Sequence, residues 1–195
     1  MPVIRAFIAI DLPTEIQQSL ERISTQLQQQ CTTTTIRWVP PKNIHLTLKF
    51  LGEVSSTNLE MLNKIVQAEA VHHRCFELSI GGLGAFPTLR RPRVIWVGVQ
   101  APNNLLALQR SIEAETVRLG YLAEDRPFSA HLTLARISHN ATPEEVRKTG
   151  DALVTYKVGF LGTVHVERIR LFRSDLKPGG AIYTPLYSAP LMPAG

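Results

Sequence analysis

One tetrapeptide occurs twice in this chain of 195 residues, and the repetition restricts the fold more than any other feature of the sequence. His45-Leu46-Thr47-Leu48 recurs as His131-Leu132-Thr133-Leu134, 86 positions later (131 − 45). Histidine is scarce, with six residues in the chain, so an identical repeat that contains it is rare by chance. Two copies at this distance indicate a duplicated half-domain, because solenoids repeat a shorter unit many times.

Both copies alternate polar and apolar residues, which predicts a β-strand. Successive side chains of a strand point to opposite faces, so each histidine shares one face with its threonine while the two leucines share the other. The leucines can pack against helices behind a sheet, and the polar pair stays on the front, roughly 7 Å apart. A single copy would be explained by a half-exposed strand. If two halves pack about a pseudo-twofold axis, both pairs face one cleft.

The rest of the chain mixes strands and helices without a strict alternation, which favours the α+β class. Besides the second motif, strands are predicted at residues 3–10, 36–39, 45–51, 75–80, 92–99, 157–161, 164–172 and 181–187. Helices are predicted to begin near residues 14, 57, 102 and 142. We expect one domain over residues 1–195, with the tail 189–195 loose.

Local signals predict where these elements begin and end. Thr14 and Thr57 are each followed three residues later by Gln or Glu, the spacing of a capping box. Gly52 is predicted to form a turn after the first motif strand. The run Gly81–Gly84 lacks the spacing of a nucleotide-binding loop, and it predicts a strand end or turn.

Composition places limits on the function. The net charge is +5, which suits a polyanionic substrate without proving one. Cys31 and Cys75 lack metal-binding spacing and predict free thiols in a reducing compartment, hence a cytoplasmic protein. No signal peptide or apolar run of about 18 residues is found, so we expect no membrane span.

Two imidazoles that face one cleft can act as general acid and general base, because the histidine pKa of about 6.5 makes both forms accessible near pH 7. The hydroxyls of Thr47 and Thr133 can donate to phosphate oxygens. A cyclic phosphodiester is a suitable substrate: His45 or His131 activates water, and the other protonates the departing ribose oxygen. This scheme requires no metal. Two histidines and a carboxylate could instead bind iron or zinc, but neither motif contains Asp or Glu.

Other residues have weaker claims to a functional role. Lys49 shares the face of the first histidine if its strand is regular, so it either reaches the cleft rim or is exposed to solvent. Three aromatic residues could stack on a base, although core packing is the simpler interpretation: Phe7, Trp38 and Phe50. Four arginines could form a basic approach for RNA or an ordinary solvated surface: Arg37, Arg90, Arg91 and Arg93. The remaining histidines lie in a basic turn, a polar loop and a late strand: His72, His73, His139 and His165.

The motifs and their flanking residues resemble the two-histidine (2H) phosphoesterases, and specifically the RNA 2′,3′-cyclic phosphodiesterases, also called 2′-5′ RNA ligases. The similarity extends over nearly the whole chain and includes 5–11, 37–40, 49–52 and 135–136. It implies a bilobal fold, with two mostly antiparallel sheets facing a central cleft and helices outside. It also implies hydrolysis of RNA 2′,3′-cyclic ends to 2′-phosphates without metal or cofactor.

The resemblance further implies that Arg136 contacts the phosphate. Strict alternation would place this arginine on the face opposite His131 unless the strand bulges there. Ala130 stands where the family usually has proline. The expected partner is RNA with a cyclic end, including tRNA fragments, or a small cyclic nucleotide, bound by a monomer. Ligation of RNA ends and non-catalytic binding of RNA ends are the alternatives.

Overall fold

The computed structural model describes residues 3–178 and 180–194. Within these residues the chain forms nine strands and four α-helices, besides a 3₁₀ turn at Pro41–Asn43. The strands are β1 (Val3–Ile10), β2 (Ile36–Trp38), β3 (Leu46–Ser55), β4 (Phe76–Thr88), β5 (Arg91–Gln100), β6 (His131–Ile137), β7 (Phe160–Val166), β8 (Arg168–Lys177) and β9 (Gly180–Pro190). The helices are α1 (Thr14–Gln30), α2 (Ser56–His72), α3 (Asn103–Arg118) and α4 (Pro143–Thr155). No helix in this part of the chain is long and apolar enough to cross a membrane.

The strands form an antiparallel sheet in the order β7-β4-β5-β6-β3-β1-β8-β9, with β2 paired to β6 outside this path. Its two halves, β6-β5-β4-β7 and β3-β1-β8-β9, meet where Leu46 pairs with Leu132. These leucines are equivalent positions of the tetrapeptide repeat, so the junction lies where a pseudo-twofold axis would relate the halves. The predicted duplicated α+β architecture is confirmed, and the two predicted sheets are continuous through this residue pair.

The four helices cover one face of the sheet, and the motif leucines are buried beneath them. Leu46, Leu48, Leu132 and Leu134 belong to one large core cluster with residues from α1, α2, α3 and α4. Burying each of these leucines contributes roughly 1.5–3 kcal/mol. A smaller cluster of Phe7, Ala9 and Phe172 lies apart from this core, with Tyr183 packed against it. The helix-covered face therefore provides stability and leaves the opposite face for the histidines.

The capping boxes predicted at Thr14 and Thr57 are wrong. The N-caps are Pro13 and Ser55, so each threonine lies inside its helix and neither helix has a side-chain cap. At α4, by contrast, Thr142 and Glu145 form a complete capping box. The difference follows from the position of the cap, because only a residue just outside the first turn can accept from the free backbone N–H groups.

Two glycine-containing stretches continue as strand where turns were predicted. β3 passes through Gly52, which has φ of +69°, and ends at Ser55. β4 passes through Gly81–Gly84, and the pairing register with β5 shifts between Ile80 and Leu83. The one extra residue of β4 is absorbed as an irregularity inside the strand, since glycine tolerates the positive φ of 78° that Gly82 adopts.

The end of the chain is also more ordered than predicted. β9 extends to Pro190, and Leu191 is buried. The backbone N–H of Met192 donates to the His73 carbonyl at 2.9 Å, and its carbonyl accepts from Cys75 at 2.7 Å. The prediction of a loose tail is wrong for residues 189–192, whereas Gly195 lies outside the described residues. The predicted strands 157–161 and 164–172 are displaced to β7 and β8.

Candidate functional site

The two motifs bring their polar side chains to one face at the centre of the sheet. Because Leu46 pairs with Leu132 in antiparallel fashion, His45 lies across from Thr133, and Thr47 lies across from His131. All four line one cavity of about 90 Å³. This volume is far below the roughly 300–1,000 Å³ of a typical small-molecule pocket, so it suits a single small group such as a phosphate.

The imidazole of His45 is held by a backbone carbonyl and an aromatic wall. Its Nδ1 lies 2.7 Å from the carbonyl oxygen of Asn43. A carbonyl can only accept, so Nδ1 carries the proton and Nε2 is the nitrogen left for chemistry. The ring stacks on Phe7 with centroids 4.6 Å apart, and Tyr183 packs edge-on at 5.2 Å. The His45 pKa is lowered to about 4, mainly because the ring is buried. The hydrogen bond to Asn43 raises this pKa, and the positive charge of Arg136 lowers it further.

The second histidine is held in the same way. Nδ1 of His131 lies 2.6 Å from the carbonyl of Ser129, again two residues earlier, so its Nε2 is also the free nitrogen. Phe86 packs edge-on against the ring at 5.0 Å, and Trp96 lies at 6.2 Å. Burial lowers the pKa of His131, the Ser129 hydrogen bond opposes this, and the charge of Arg136 adds to it. Both imidazoles therefore favour the neutral form at pH 7.

A β-bulge brings Arg136 to the face of the histidines. Trp96 pairs with Thr133, but the next pair is Ile95 with Ala135, so Leu134 is the extra residue in β6. Leu134 and Ala135 are both buried, which breaks the alternation and returns Arg136 to the front. Its side chain lines the central cavity. The arginine implied by the family resemblance is thus placed where it can meet an anion.

The same bulge occurs in the first motif and has a different consequence. Thr47 pairs with Ala9 and Lys49 with Ile8, so Leu48 is the extra residue of β3. Lys49 is therefore turned into the core, where it is 1% exposed. Its Nζ contacts Glu113 at 2.7 Å and donates to the Leu122 carbonyl at 2.6 Å. Both expectations for this lysine, the cleft rim and solvent exposure, are wrong because they assumed a regular strand.

Phe50 takes the position in the first motif that Arg136 has in the second. It is 55% exposed and lines the central cavity. Phe7, by contrast, is buried behind His45, while Trp38 packs against the core. Tyr183 is a further cavity residue that no motif in the sequence marks, because it comes from β9 through tertiary packing.

The other candidates lie elsewhere on the molecule. His73 and His165 lie within 4.0 Å of Glu69 and Glu167, respectively, outside the central cavity. Arg90, Arg91 and Arg93 line a separate cavity that shares no residue with the central one. Arg37, His72 and His139 are exposed and do not line the central cavity. Among residues 3–178 and 180–194, no group of three His, Cys, Asp or Glu residues is arranged to hold a metal ion.

The arrangement can act on a phosphate group from two sides. Two Nε2 atoms, two threonine hydroxyls and one guanidinium surround a space of about 90 Å³. One neutral imidazole can accept a proton, a protonated one can donate, and the hydroxyls and guanidinium can hold negative oxygens. Acid–base chemistry on a phosphate ester is what this set of groups supports.

Comparison with known proteins gives a consistent result. The family model "LigT like Phosphoesterase" matches residues 10–96 and again 97–183. An RNA 2′,3′-cyclic phosphodiesterase of Methanothermobacter thermautotrophicus is 34% identical over 183 residues, covering 94% of this chain and 96% of that protein. An Escherichia coli protein of the same name is 32% identical, with 93% of each chain covered. In both comparisons nearly the whole of each protein is matched.

Solved structures agree with this similarity. The crystal structure of TT0787 from Thermus thermophilus has a TM-score of 0.81 and 29% identity, covering 98% of this chain and all of that one. E. coli LigT complexed with 3′-AMP has a TM-score of 0.78 and 30% identity, with 97% and 99% covered. Each of the two family-model matches contains one copy of the repeated tetrapeptide, His45–Leu48 in the first and His131–Leu134 in the second.

Proposed function

The chain belongs to the LigT-like phosphoesterase family, and we propose that it hydrolyses RNA 2′,3′-cyclic phosphate ends to 2′-phosphate ends. The proposal is supported by relatives of that name that match more than nine-tenths of this chain. It is also supported by the crystallisation of E. coli LigT with 3′-AMP, a nucleotide whose phosphate is on the 3′ oxygen. The proposed substrate places its reacting phosphate in the central cavity.

One observation carries the proposal: two imidazoles with the same backbone anchor face a single phosphate-sized cavity. His45 is anchored by Asn43 and His131 by Ser129, so the free Nε2 atoms come from opposite halves of the pseudo-twofold. In-line displacement at phosphorus needs a base beside the attacking water and an acid beside the leaving oxygen on the other side. Two histidines from opposite halves meet that requirement.

The reaction then proceeds as follows. One imidazole takes a proton from water as the water oxygen bonds to phosphorus. The P–O3′ bond breaks, and the other histidine, in its protonated form, gives its Nε2 proton to O3′. The product is a 2′-phosphate monoester with a free 3′-hydroxyl. The two histidines have exchanged protonation states, and proton exchange with solvent resets them.

Thr47, Thr133 and Arg136 hold the non-bridging oxygens in this scheme. The hydroxyls can donate one hydrogen bond each, and the guanidinium can donate two to the same phosphate. Their positions are fixed before substrate arrives, which lowers the reorganisation needed as charge develops in the transition state. The charge of Arg136 also lowers the pKa of both imidazoles, and the negative charge of a phosphate between them would oppose this effect. The substrate itself thus favours the protonated histidine that the reaction needs.

We propose that no metal takes part, because imidazolium, guanidinium and hydroxyl groups together can neutralise the phosphate. The test is phosphorus NMR of a short RNA with a 2′,3′-cyclic end, incubated with the protein and excess EDTA. A new 2′-monoester signal at the untreated rate is expected. A 3′-monoester product would contradict the regiochemistry, loss of activity with EDTA would contradict metal independence, and an unchanged cyclic phosphate would contradict the function.

A further inference from the structure

Tyr183 lines the central cavity from β9, outside both motifs. It also lines a neighbouring cavity of about 560 Å³, so its side chain forms part of the boundary between the two spaces. The side chain is half-buried. No step of the proposed hydrolysis uses its phenolic hydroxyl, which can donate one hydrogen bond.

Contacts with two other rings fix the ring of Tyr183. It packs edge-on against Phe7, with the ring centroids 4.9 Å apart, and edge-on against the imidazole of His45 at 5.2 Å. Phe7 in turn stacks on His45 at 4.6 Å, so each of the three rings contacts the other two. The phenol therefore has a defined position beside one of the two imidazoles.

The backbone of β9 is tied to the residue that anchors His45. The Asn43 side chain donates to the Ala181 carbonyl at 2.7 Å, and the Asn43 carbonyl accepts from Nδ1 of His45 at 2.7 Å. Ala181 lies two residues before Tyr183 on the same strand, so the two side chains share one face. One asparagine thus positions both the imidazole and the strand that carries the tyrosine.

The hydroxyl of Tyr183 is available to a ligand. Within residues 3–178 and 180–194 it has no hydrogen-bond partner, whereas each of the other three tyrosine hydroxyls contacts an asparagine or glutamine side chain. Burial raises the pKa of this phenol, and the charge of Arg136 lowers it from across the central cavity. The hydroxyl therefore keeps its proton near neutral pH and lies on the cavity side of the ring.

The two motifs supply unequal sets of hydrogen-bond donors to the central cavity. Each gives a threonine hydroxyl, from Thr47 in the first half and Thr133 in the second. Arg136 adds a guanidinium to the second half, whereas Phe50 takes the corresponding position in the first half and has no donor. Tyr183 belongs to the first half, because β9 lies on the side of β3, β1 and β8. Its hydroxyl provides that half with the donor that its motif lacks.

The aromatic neighbours of the two histidines differ by this same hydroxyl. Tyr183 packs against His45 with an interplanar angle of 86°, and Phe86 packs against His131 at 5.0 Å with an angle of 89°. The two contacts are nearly identical, so packing edge-on against an imidazole does not require a hydroxyl. The phenolic oxygen of Tyr183 therefore indicates a polar partner, and an anion in the central cavity provides one.

We propose that the hydroxyl of Tyr183 donates a hydrogen bond to a non-bridging oxygen of the reacting phosphate, from the side of His45. This rests on the proposed hydrolysis and deepens it, because a residue outside both motifs then helps to stabilise the negative charge of the transition state. The phenol stays protonated throughout, so it forms no covalent bond and transfers no proton. Tyr183 and Arg136 hold the phosphate from opposite halves of the site.

The first test removes the hydroxyl and keeps the ring. Y183F should lower kcat/KM for uridine 2′,3′-cyclic phosphate about tenfold, because one hydrogen bond to a charged oxygen is lost. Its urea midpoint should equal that of wild type, since the ring contacts with Phe7 and His45 remain. Y187F is the matched control on the same strand. The Tyr187 hydroxyl contacts Gln67 at 2.6 Å outside the central cavity, so this variant should keep the wild-type kcat/KM.

A second measurement separates direct contact with the phosphate from a displacement of His45. The two phosphorothioate diastereomers of the substrate each carry sulfur in place of one non-bridging oxygen, and sulfur is the weaker acceptor. The ratio of wild-type to Y183F kcat/KM should stay at about ten for one diastereomer and fall to about three or less for the other. A displaced imidazole would instead lower the rate for both diastereomers and for the oxygen substrate alike.

Calorimetric titration with inorganic phosphate tests the same contact without turnover. The phosphate Kd should rise about tenfold in Y183F and stay unchanged in Y187F. If wild type hydrolyses no cyclic phosphate while Y183F alone weakens phosphate binding, the proposed function fails and the tyrosine contact stands. If Y183F matches wild type in both kcat/KM and Kd, the contact is wrong while the hydrolase function stands. The same conclusion follows if all three substrates are slowed equally, or if Y187F is slowed as well.

Discussion

Lys49 and Glu113 form an ion pair that exists only because β3 bulges at Leu48. Nζ of Lys49 lies 2.7 Å from Oε1 of Glu113. The lysine side chain has no exposed surface, and the glutamate side chain is 21% exposed. The lysine also donates to the Leu122 carbonyl, and the same Glu113 oxygen accepts from the backbone N–H of Glu124 at 2.9 Å. The pair therefore joins β3 and α3 to the segment that leads toward His131.

The asymmetry in burial predicts unequal effects of removing each partner. E113L leaves an ammonium group with no exposed surface and one carbonyl partner, so the free energy of unfolding should fall by about 3–5 kcal/mol. K49M leaves a carboxylate whose side chain is 21% exposed and whose Oε1 still accepts from the Glu124 N–H, although its Oε2 is buried without a partner. With the unpaired Leu122 carbonyl, this change should cost about 1–3 kcal/mol, less than E113L. In the double variant no charge is left buried, so it should be no less stable than K49M.

Urea unfolding of wild type and the three variants measures these differences, provided the m-value is unchanged. K64M is the matched control, because Lys64 contacts Glu60 with both side chains at least 66% exposed, and its effect should stay within about 0.5 kcal/mol. If E113L is no more destabilising than K49M, or if the double variant equals the sum of the two losses, the reasoning from burial is refuted.

Three further outcomes follow from the site. R136M should lower kcat/KM roughly 10²-fold and leave the stability unchanged, because one donor to the charged transition state is lost. An unchanged kcat/KM would show that this arginine does not contact the reacting phosphate. The His45 pKa of about 4 lies below the unfolded value of 6.5, so the unfolded state binds the proton first as the pH falls. The free energy of unfolding should therefore fall by up to about 3 kcal/mol from pH 6.5 to pH 4, and by less in H45N. Urea unfolding at a series of acidic pH values measures both. G84A would place a Cβ 2.1 Å from the Trp96 ring and should cost about 1–3 kcal/mol, whereas G159A, whose added Cβ would meet no atom within 4 Å, should cost less.

Much of the architecture could be predicted because it depends on periodicity. The alternation in the two motifs correctly indicates which leucines are buried, and the duplication gives the two halves. The bulges at Leu48 and Leu134 could not be predicted, since each follows from pairing with a distant strand. That one-residue shift decides that Lys49 is buried and that Arg136 faces the cleft.

Contacts between distant segments explain the remaining differences. Tyr183 reaches the central cavity from β9, and Met192 pairs with the backbone beyond α2, although neither has a local sequence signal. Both cysteines are free, as predicted. The predictions of a single domain, a monomer and a cytoplasmic location stay predictions.

The central claim is that both imidazoles take part in one chemical step, and the most direct test is single-turnover hydrolysis of a cyclic-ended RNA by H45A, H131A and the double variant. Each single variant should lose at least about 10³-fold in rate, and the double variant should lose little more, because an acid–base pair acts as a unit. H139A, at an exposed histidine outside the cavity, should match wild type. Near-normal turnover by both single variants would contradict the two-histidine mechanism.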